Sequence, residues 1–202
     1  MRNDHFLSRR GFAMGLVAGL AVLALPRVAA ALTVDQARGL VEKTVADINS
    51  IISSGKGEGA MLNDFEKLFA SYADVPTIAR SALGPAARQA SKAQLSGFTR
   101  AFQGYISRKY GRRFREFIGG RIEVNEARAV KSYYEVVTTA YLRGEAPFEV
   151  RFHVSDRAGK SLFFNIIIEG VNMLASERTE IGALLDQRGG DLDRLIADMK
   201  SL

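Results

Sequence analysis

Few side chains in this sequence could act as an acid, a base or a nucleophile. Histidine occurs only at His5 and His153, and cysteine is absent. A catalytic triad would depend on His153, but the alternation of its neighbours places it on the charged face of a strand, where we expect a solvated side chain. No group of His, Asp or Glu has metal-ligand spacing. The sequence therefore predicts neither a catalytic residue nor a metal site, and no cofactor.

Three glutamates and two glycine-rich stretches are the remaining candidates for chemistry. Glu123, Glu126 and Glu135 could pair as acid and base in an isomerase or a dehydratase, but their spacing singles out no two of them. The glycines within residues 55–59 and 119–120 lack the strand-to-helix context and the lysine of a phosphate-binding loop. Surface charge and exposed loops are the simpler interpretations.

The apolar residues indicate a function more clearly than the ionisable residues do. The chain contains 12 Phe and 6 Tyr but no Trp. Core packing explains any one of these rings, but together they supply more apolar bulk than polar tethering groups, as in a hydrophobic ligand pocket. The side chains expected to line this pocket and contact its ligand are Phe98, Phe102, Tyr105, Ile106, Tyr110, Val137, Tyr141, Phe152, Phe164, Ile166, Ile168 and Val171.

The strand predicted at residues 162–168, Leu-Phe-Phe-Asn-Ile-Ile-Ile, is the element around which the chain is arranged. Its even-numbered positions form one apolar face, and Phe163 and Ile167 make the other face apolar as well. This pattern predicts a central strand that is covered on both sides. Period-two alternation predicts further strands at 122–130, 133–142 and 148–154.

Helical spacing predicts the rest of the chain. Thr33 and Gln36 have the spacing of a capping box at the start of a helix over 34–52. Apolar stripes predict further helices over 61–72, 77–83 and 92–118, the last with a kink near Gly111. Residues 176–187 and the tail after 192 are predicted to form short C-terminal helices. Helices first and an antiparallel meander afterwards indicate an α+β fold with the helices on one face of about four strands.

Residues 1–31 are predicted to be a signal peptide, cleaved near Ala30 or Ala31. Arginines precede an uncharged stretch over 11–26, which is shorter than the roughly 20 residues of a membrane span. A retained anchor is the alternative. Arg9, Arg10 and Phe12 have the form of a twin-arginine export signal, with an ordinary Sec signal as the alternative. Residues 32–202 then form a single domain.

Charge argues against a nucleic-acid partner. Removal of four arginines and Asp4 with the signal peptide lowers the formal net charge from +6 to +3. A charge of this size is too small to indicate nucleic-acid binding.

A family resemblance rests on the C-terminal third of the chain. Ile168-Glu-Gly-Val171, then Asn172-Met173, Arg178 and the Leu-Asp-Arg-Leu-Ile run at 192–196 resemble the signature of the MlaC or toluene-tolerance family. Earlier residues that follow the family's helical half in order are Phe69, Val75, Ile78, Leu83, Gln94, Phe98, Phe102 and Tyr110. Ser161, Asn165 and Asn172 depart from the residues that are usual in the family, which leaves the exact ligand open.

The resemblance implies the fold and the function. It implies a curved, cone-like sheet of the nuclear-transport-factor type, closed by helices around an apolar cavity. It also implies a periplasmic carrier that shuttles phospholipid between an outer-membrane lipoprotein and porin complex and an inner-membrane ABC transporter with its substrate-binding membrane subunit. A hopanoid or other polycyclic lipid as cargo, a cone-fold enzyme and a structural periplasmic module remain as alternatives.

Five basic residues lie within eight positions near the suspected kink: Arg108, Lys109, Arg112, Arg113 and Arg115. A solvated helix face is one interpretation of this cluster. The other is a docking surface that attracts anionic headgroups or an acidic partner, which would accelerate encounter more than it would add affinity.

Replacement of Arg9 and Arg10 by Lys tests the export route. Twin-arginine export should fail, because it reads the arginine pair itself rather than its charge. Cell fractionation is the measurement, and undiminished periplasmic accumulation of the variant would show that the Sec route carries the protein.

Overall fold

A computed structural model describes residues 32–112 and 120–202, so the predicted signal peptide lies outside the described residues. The described helices are α1 (Val34–Ile52), α2 (Glu58–Tyr72), α3 (Val75–Leu83), α4 (Lys92–Gly111), α5 (Met173–Asp186) and α6 (Leu192–Asp198), with a short 3-10 helix at Gly84–Arg88. The strands are β1 (Arg121–Val130), β2 (Tyr133–Tyr141), β3 (Phe148–Ser155), β4 (Leu162–Ile168) and β5 (Val171–Asn172).

The strands form one open antiparallel sheet in the order β1-β2-β3-β4-β5, each paired with its neighbour in sequence. The predicted α+β class and the four long strands are confirmed, with ends that differ by no more than one residue. The two-residue β5 was not predicted. It pairs only with Ile167 and Ile168, so β4 is the last long strand of the sheet rather than the predicted central one, and Phe164 and residues 166–168 are only half-buried.

A β-bulge in β4 changes which side chains point inward. His153 pairs with Asn165, but the next residue of β3, Val154, pairs with Phe163, so Phe164 is an extra residue. An extra residue reverses the alternation of the strand at that point. The expectation that all even-numbered positions share one face is therefore wrong across the bulge.

Ring contacts show the two faces on either side of the bulge. The ring of Phe163 meets that of Phe152 edge to face at 5.7 Å, on the inner side of the sheet. The ring of Phe164 meets Tyr133 at 5.7 Å and His153 at 5.9 Å on the outer side. Phe163 thus shares the inner face with Ile166 and Ile168.

Local signals position the helices. Thr33 and Gln36 form the predicted capping box of α1, and Ser91 and Gln94 form a second one at the start of α4. Helix α1 packs on β1, β2 and β3, α2 packs on α1 and α4, and α5 packs on α3 and β4. The described helices include none that is long and apolar enough to cross a membrane.

Helix α4 ends earlier than predicted. The structure gives it a C-terminal cap at Arg112, and residues 113–119 lie outside the described residues. Gly111 is buried, and a Cβ placed on it would lie 2.4 Å from Cδ2 of Leu62 on α2. Glycine therefore allows the end of α4 to approach α2 closely.

In the described part of the chain, buried apolar side chains form two separate clusters. The main core joins α1, α3, α4 and the sheet to α5 and α6. A smaller cluster of Ile48, Ile52, Met61 and Phe65 lies between the C-terminal half of α1 and α2. The helical layer is therefore packed in two blocks rather than one.

Replacement of Ser91 by Ala should destabilise the domain by about 1 kcal/mol, because it removes the side-chain acceptor for the Gln94 amide at the start of α4. The melting temperature should fall by roughly 2–4 °C in calorimetry. Ser96→Ala, inside the same helix and exposed, is the control and should change stability by less than about 0.5 kcal/mol. Equal effects of the two substitutions would contradict a role for the cap.

Candidate functional site: an apolar cavity between helices and sheet

A cavity of about 230 Å³ lies between the helices and the inner face of the sheet. Helices α1 to α5 and the strands β1, β3 and β4 contribute to its wall. The lining residues are Thr44, Ile48, Phe65, Leu68, Phe69, Ile78, Phe102, Ile106, Ser107, Tyr110, Gly111, Ile122, Phe148, Val150, Phe152, Phe163, Phe164, Asn165, Ile166, Ile168, Met173, Leu174 and Glu177.

Both apolar clusters contribute to this wall. Ile48 and Phe65 belong to the small cluster between α1 and α2, whereas Phe102 and Phe152 belong to the main core. The cavity is thus the space at which the two packed blocks of the helical layer and the sheet meet. Because protein interiors are normally close-packed, a gap of this size marks a place that the surrounding side chains do not fill.

The structure brings seven of the twelve predicted pocket residues to the cavity. They are Phe102, Ile106, Tyr110, Phe152, Phe164, Ile166 and Ile168. Phe164 borders the cavity even though its ring packs on the outer side, because the bulge lies at the wall itself. Contact of these side chains with a lipid stays a prediction.

Two predicted residues on α4 lie in the core instead of at the cavity. Phe98 is fully buried and stacks on Phe102 with ring centroids 5.7 Å apart. Tyr105 is also buried, and its hydroxyl donates a hydrogen bond to Glu180. The stripe was predicted correctly as the buried face of the helix, but only part of that face reaches the cavity.

The remaining three predicted residues point away from the cavity. In β2 the inward positions are Val136 and Ala140, both fully buried, so the expected register of Val137 and Tyr141 is wrong by one residue. A one-residue shift moves a strand's whole set of side chains to the other face. Val171 lies in β5 and is 54% exposed.

Sequence reasoning missed the contribution of α1 and α2. Ile48, Phe65 and Phe69 line the cavity, although their apolar stripes had indicated only that each helix is amphipathic. A stripe shows that a face is buried but not whether it meets a neighbour or a space. The same holds for Phe163, whose inward position depends on the bulge.

Three polar side chains at the cavity are hydrogen-bonded within the protein. Thr44 and Ser107 donate to carbonyl oxygens one turn earlier in their own helices. Oδ1 of Asn165 accepts from the backbone amides of Ile166 at 2.9 Å and Leu174 at 3.2 Å. These groups therefore present little unsatisfied polarity to the cavity.

Glu177 is the charged residue of the cavity wall and is 4% exposed. Its Oε1 accepts from Nζ of Lys109 at 2.7 Å and from the hydroxyl of Tyr110. Lys109 also bonds to Glu180, one turn further along α5. Among the described residues, Oε2 of Glu177 is buried and has no hydrogen-bond partner.

The pKa shifts in this network follow from burial and the two glutamates. Burial acts to lower the pKa of Lys109, but its hydrogen bonds to Glu177 and Glu180 outweigh that effect and raise the pKa. Burial raises the pKa of the Tyr110 hydroxyl, and the hydrogen bond to Glu177 adds to the rise. Burial acts to raise the pKa of Glu180, but Lys109 and Tyr105 together lower it. Lys109 is therefore held in its charged form.

His153 and Glu135 are less solvated than the sequence suggested. They lie on the outer face of the sheet, with Nε2 of His153 3.4 Å from Oε2 of Glu135, and Glu135 is 7% exposed. Arg128 bonds to the same glutamate. Burial lowers the pKa of His153, although Glu135 opposes the shift. Within the described residues no three acidic or histidine side chains form a metal-binding group.

Three of the five residues of the predicted basic cluster lie in the described part of the chain, and two of these bond to other parts of the protein. Lys109 pairs with two glutamates, and Arg108 donates to the carbonyl oxygens of Met199 and Leu202. Arg112 is exposed. Arg113 and Arg115 lie outside the described residues. A docking role for these five residues stays a prediction.

These features define a class of α+β protein that holds an apolar cavity between a layer of helices and one face of an open antiparallel sheet. The sequence pattern of the MlaC protein family matches residues 41–201, and the chain belongs to this family. The resemblance noted in the sequence is thereby confirmed. No curated protein matches the chain.

Seven chains of solved structures match this one. Among them is the phospholipid-binding protein of Ralstonia solanacearum, solved in complex with a phospholipid. The two superpose with a TM-score of 0.67 at 20% sequence identity, over 81% of this chain and 98% of the other. At this identity the likeness shows a common fold.

Replacement of Lys109 by Met should destabilise the domain by about 2–3 kcal/mol, because it leaves Glu177 buried with one fewer partner. This loss is smaller than for a fully buried ion pair, since the side chain of Lys109 is partly exposed. Lys56→Met, which removes the exposed pair with Asp64, is the control and should cost less than about 1 kcal/mol.

The effect of Lys109→Met should also depend on pH. Lys109 helps to lower the pKa of Glu180, and a carboxylate with a lowered pKa stabilises the folded state above its unfolded value of about 4.3. This contribution is lost as the pH falls through the folded value. Urea unfolding at pH 7 and pH 3 should therefore show a smaller difference between variant and wild type at pH 3. A difference that does not change with pH would contradict the ion-pair account.

Proposed function

We propose that this protein is a periplasmic carrier that binds the acyl chains of a phospholipid in the cavity and moves the lipid between membranes. The observation that carries the proposal is the wall of the cavity, which is built almost entirely from aliphatic and aromatic side chains. Membership of the MlaC family and the phospholipid held by the Ralstonia protein of the same fold support a phospholipid as the ligand.

Binding energetics favour a carrier that can release its lipid over a protein that binds lipid irreversibly. Transfer of about thirty methylenes out of water would release roughly 25 kcal/mol at ~0.8 kcal/mol each, which exceeds the ~20 kcal/mol ceiling of non-covalent affinity. The relevant comparison is therefore between bilayer and cavity, which are similarly apolar. Transfer between the two is then nearly neutral, so the direction of transport has to come from partners.

The cavity must widen before it can hold two acyl chains. About 230 Å³ is below the ~300–1,000 Å³ of ordinary small-ligand pockets, so two acyl chains need a wider space. Ile48, Ile52, Met61 and Phe65 join the C-terminal half of α1 to the first half of α2 apart from the main core, so this block can move with less disruption of that core than the rest of the helical layer. We infer that lipid entry widens the gap between this block and β3 and β4.

The partners in the proposal are a lipid donor and a lipid acceptor at the two membranes. They are an outer-membrane lipoprotein and porin complex and an inner-membrane ABC transporter with its substrate-binding membrane subunit. Their support is the family to which the chain belongs. Export by the predicted signal peptide would place the protein between them.

Native mass spectrometry of protein purified from its own periplasm tests the ligand. A diacyl phospholipid bound one to one supports the proposal. A triterpenoid would instead identify a polycyclic lipid carrier, and recovery of no lipid from protein that is folded would contradict a carrier function.

Replacement of Ile168 by Trp should reduce the copurified lipid severalfold, because the larger side chain fills part of the cavity. Ile167→Trp is a matched control, since Ile167 is equally half-buried but lies on the opposite face of the same strand. Lipid extraction and mass spectrometry measure the occupancy, and thermal unfolding checks both variants for folding. Equal lipid content in the two would place the acyl chains elsewhere.

A further inference from the structure

Leu32, which lies just before α1, is anchored at three points. It is 4% exposed and belongs to the main core. Its carbonyl oxygen accepts a hydrogen bond from the hydroxyl of Tyr134 on β2, and its backbone nitrogen donates to Oδ2 of Asp156 at 3.0 Å. Partners that lie 102 and 124 residues away in the sequence therefore hold Leu32 against the sheet.

The acceptor for the Leu32 nitrogen is a carboxylate that pairs with no cation among the described residues. Asp156 directly follows β3 and is exposed. No ion pair within the described part of the chain includes it, although Arg157 and Lys160 lie in the same connection to β4. A neutral backbone amide occupies one lone pair of this carboxylate but does not balance its charge. A positive charge on the Leu32 nitrogen would balance it.

Removal of the predicted signal peptide creates such a charge if the cut falls at one particular bond. The sequence Ala29-Ala30-Ala31 directly before Leu32 has the A-x-A pattern of small residues that a signal peptidase recognises. Hydrolysis of the bond between Ala31 and Leu32 consumes one water, leaves a carboxylate on Ala31 and leaves an α-amino group on Leu32. An α-amino group has an ordinary pKa of about 8, so it is mostly protonated at neutral pH.

We propose that the precursor is cut between Ala31 and Leu32, and that the new α-ammonium of Leu32 forms an ion pair with Asp156. The nitrogen already lies at hydrogen-bond distance from the carboxylate, so processing changes its charge without having to move it. Cleavage after Ala30 would instead leave the Leu32 nitrogen as a neutral amide and place the ammonium on Ala31. The inference does not depend on which ligand the cavity holds.

The anchoring of Leu32 distinguishes this ion pair from an ordinary surface pair. Exposed ion pairs contribute little, partly because two mobile side chains have to be ordered to form them. Here the burial of Leu32 and the hydrogen bond from Tyr134 already fix the position of the nitrogen. A charged donor also forms a stronger hydrogen bond to a carboxylate than a neutral donor does. Processing therefore strengthens the contact between the start of α1 and the connection that follows β3.

The burial of Leu32 also determines the order of events. Proteases act on exposed and mobile stretches of chain, whereas Leu32 lies in the main core of the folded domain. The cut therefore comes before Leu32 packs onto the sheet, and the ion pair with Asp156 then holds it there. The charge that processing creates thus completes the folded state of the mature protein.

An intact-mass measurement of the denatured protein, purified from its own periplasm, tests the cleavage site without any variant. We expect the mass of residues 32–202. The mass of a chain that starts at Ala31, or at any other residue, would overturn the proposal.

A thermodynamic cycle tests the ion pair. The mature protein is released from a cleavable amino-terminal fusion so that it starts either at Leu32 or at Ala31, each with and without Asp156→Asn. Asparagine keeps an oxygen that accepts from the Leu32 nitrogen but carries no charge. Asp156→Asn should lower the melting temperature of the chain that starts at Leu32 by about 2 °C in calorimetry. The same substitution should change that of the chain that starts at Ala31 by less than about 1 °C.

Asp35→Asn is the matched control. Asp35 is an exposed acid in the first turn of α1, so its replacement removes a negative charge close to the same chain start. Its effect on the melting temperature should be equal in the two chains. Equal effects of Asp156→Asn in the two chains would show that the carboxylate acts only as a neutral amide's acceptor, and would overturn the ion pair. A chain-dependent effect of Asp35→Asn as large as that of Asp156→Asn would also overturn it, because it would indicate a general charge effect.

Discussion

The inner face of the sheet must be kept from water, yet the helices that cover it do not fill the space beneath them. Helix α1 covers β1 to β3, while α2 packs on α1 and α4 and belongs to a separate apolar cluster. The bulge at Phe164 then determines which side chains of β4 face that space. The cavity, its apolar wall and the possibility of widening it all depend on this incomplete coverage.

The polar network at one end of the cavity has a different origin. Lys109 on α4 and Glu177 on α5 join the helices that precede and follow the sheet in the sequence, and Tyr105 and Tyr110 extend the network on both sides. Buried ion pairs of this kind contribute little net stability but are costly to break. Their value here is positional, because they hold a carboxylate beside an apolar space.

Local signals in the sequence predicted most of the fold. The capping residue Thr33 and the alternation of the four long strands depend on neighbouring residues, so their elements were predicted to within a few positions. The inward face of β2 and the bulge at Phe164 depend on pairing between strands, which one strand's sequence does not contain. Glu177 interrupts the apolar stripe formed by Leu174 and Ile181, which was an available sign of a buried charge. Its partner Lys109, however, lies 68 residues away.

The far edge of β4 shows how the backbone of an aggregation-prone segment is covered. Residues 162–168 contain no charge, proline or glycine and are rich in β-formers, which is the composition of a segment that adds to foreign strands. Its free edge is covered in three places: the amide of Asp74 bonds to Phe163, the side chain of Asn165 accepts from Ile166, and β5 pairs with residues 167–168. Few backbone groups remain to template a second molecule. The most apolar strand of the sheet is thereby protected from pairing with a strand of another molecule.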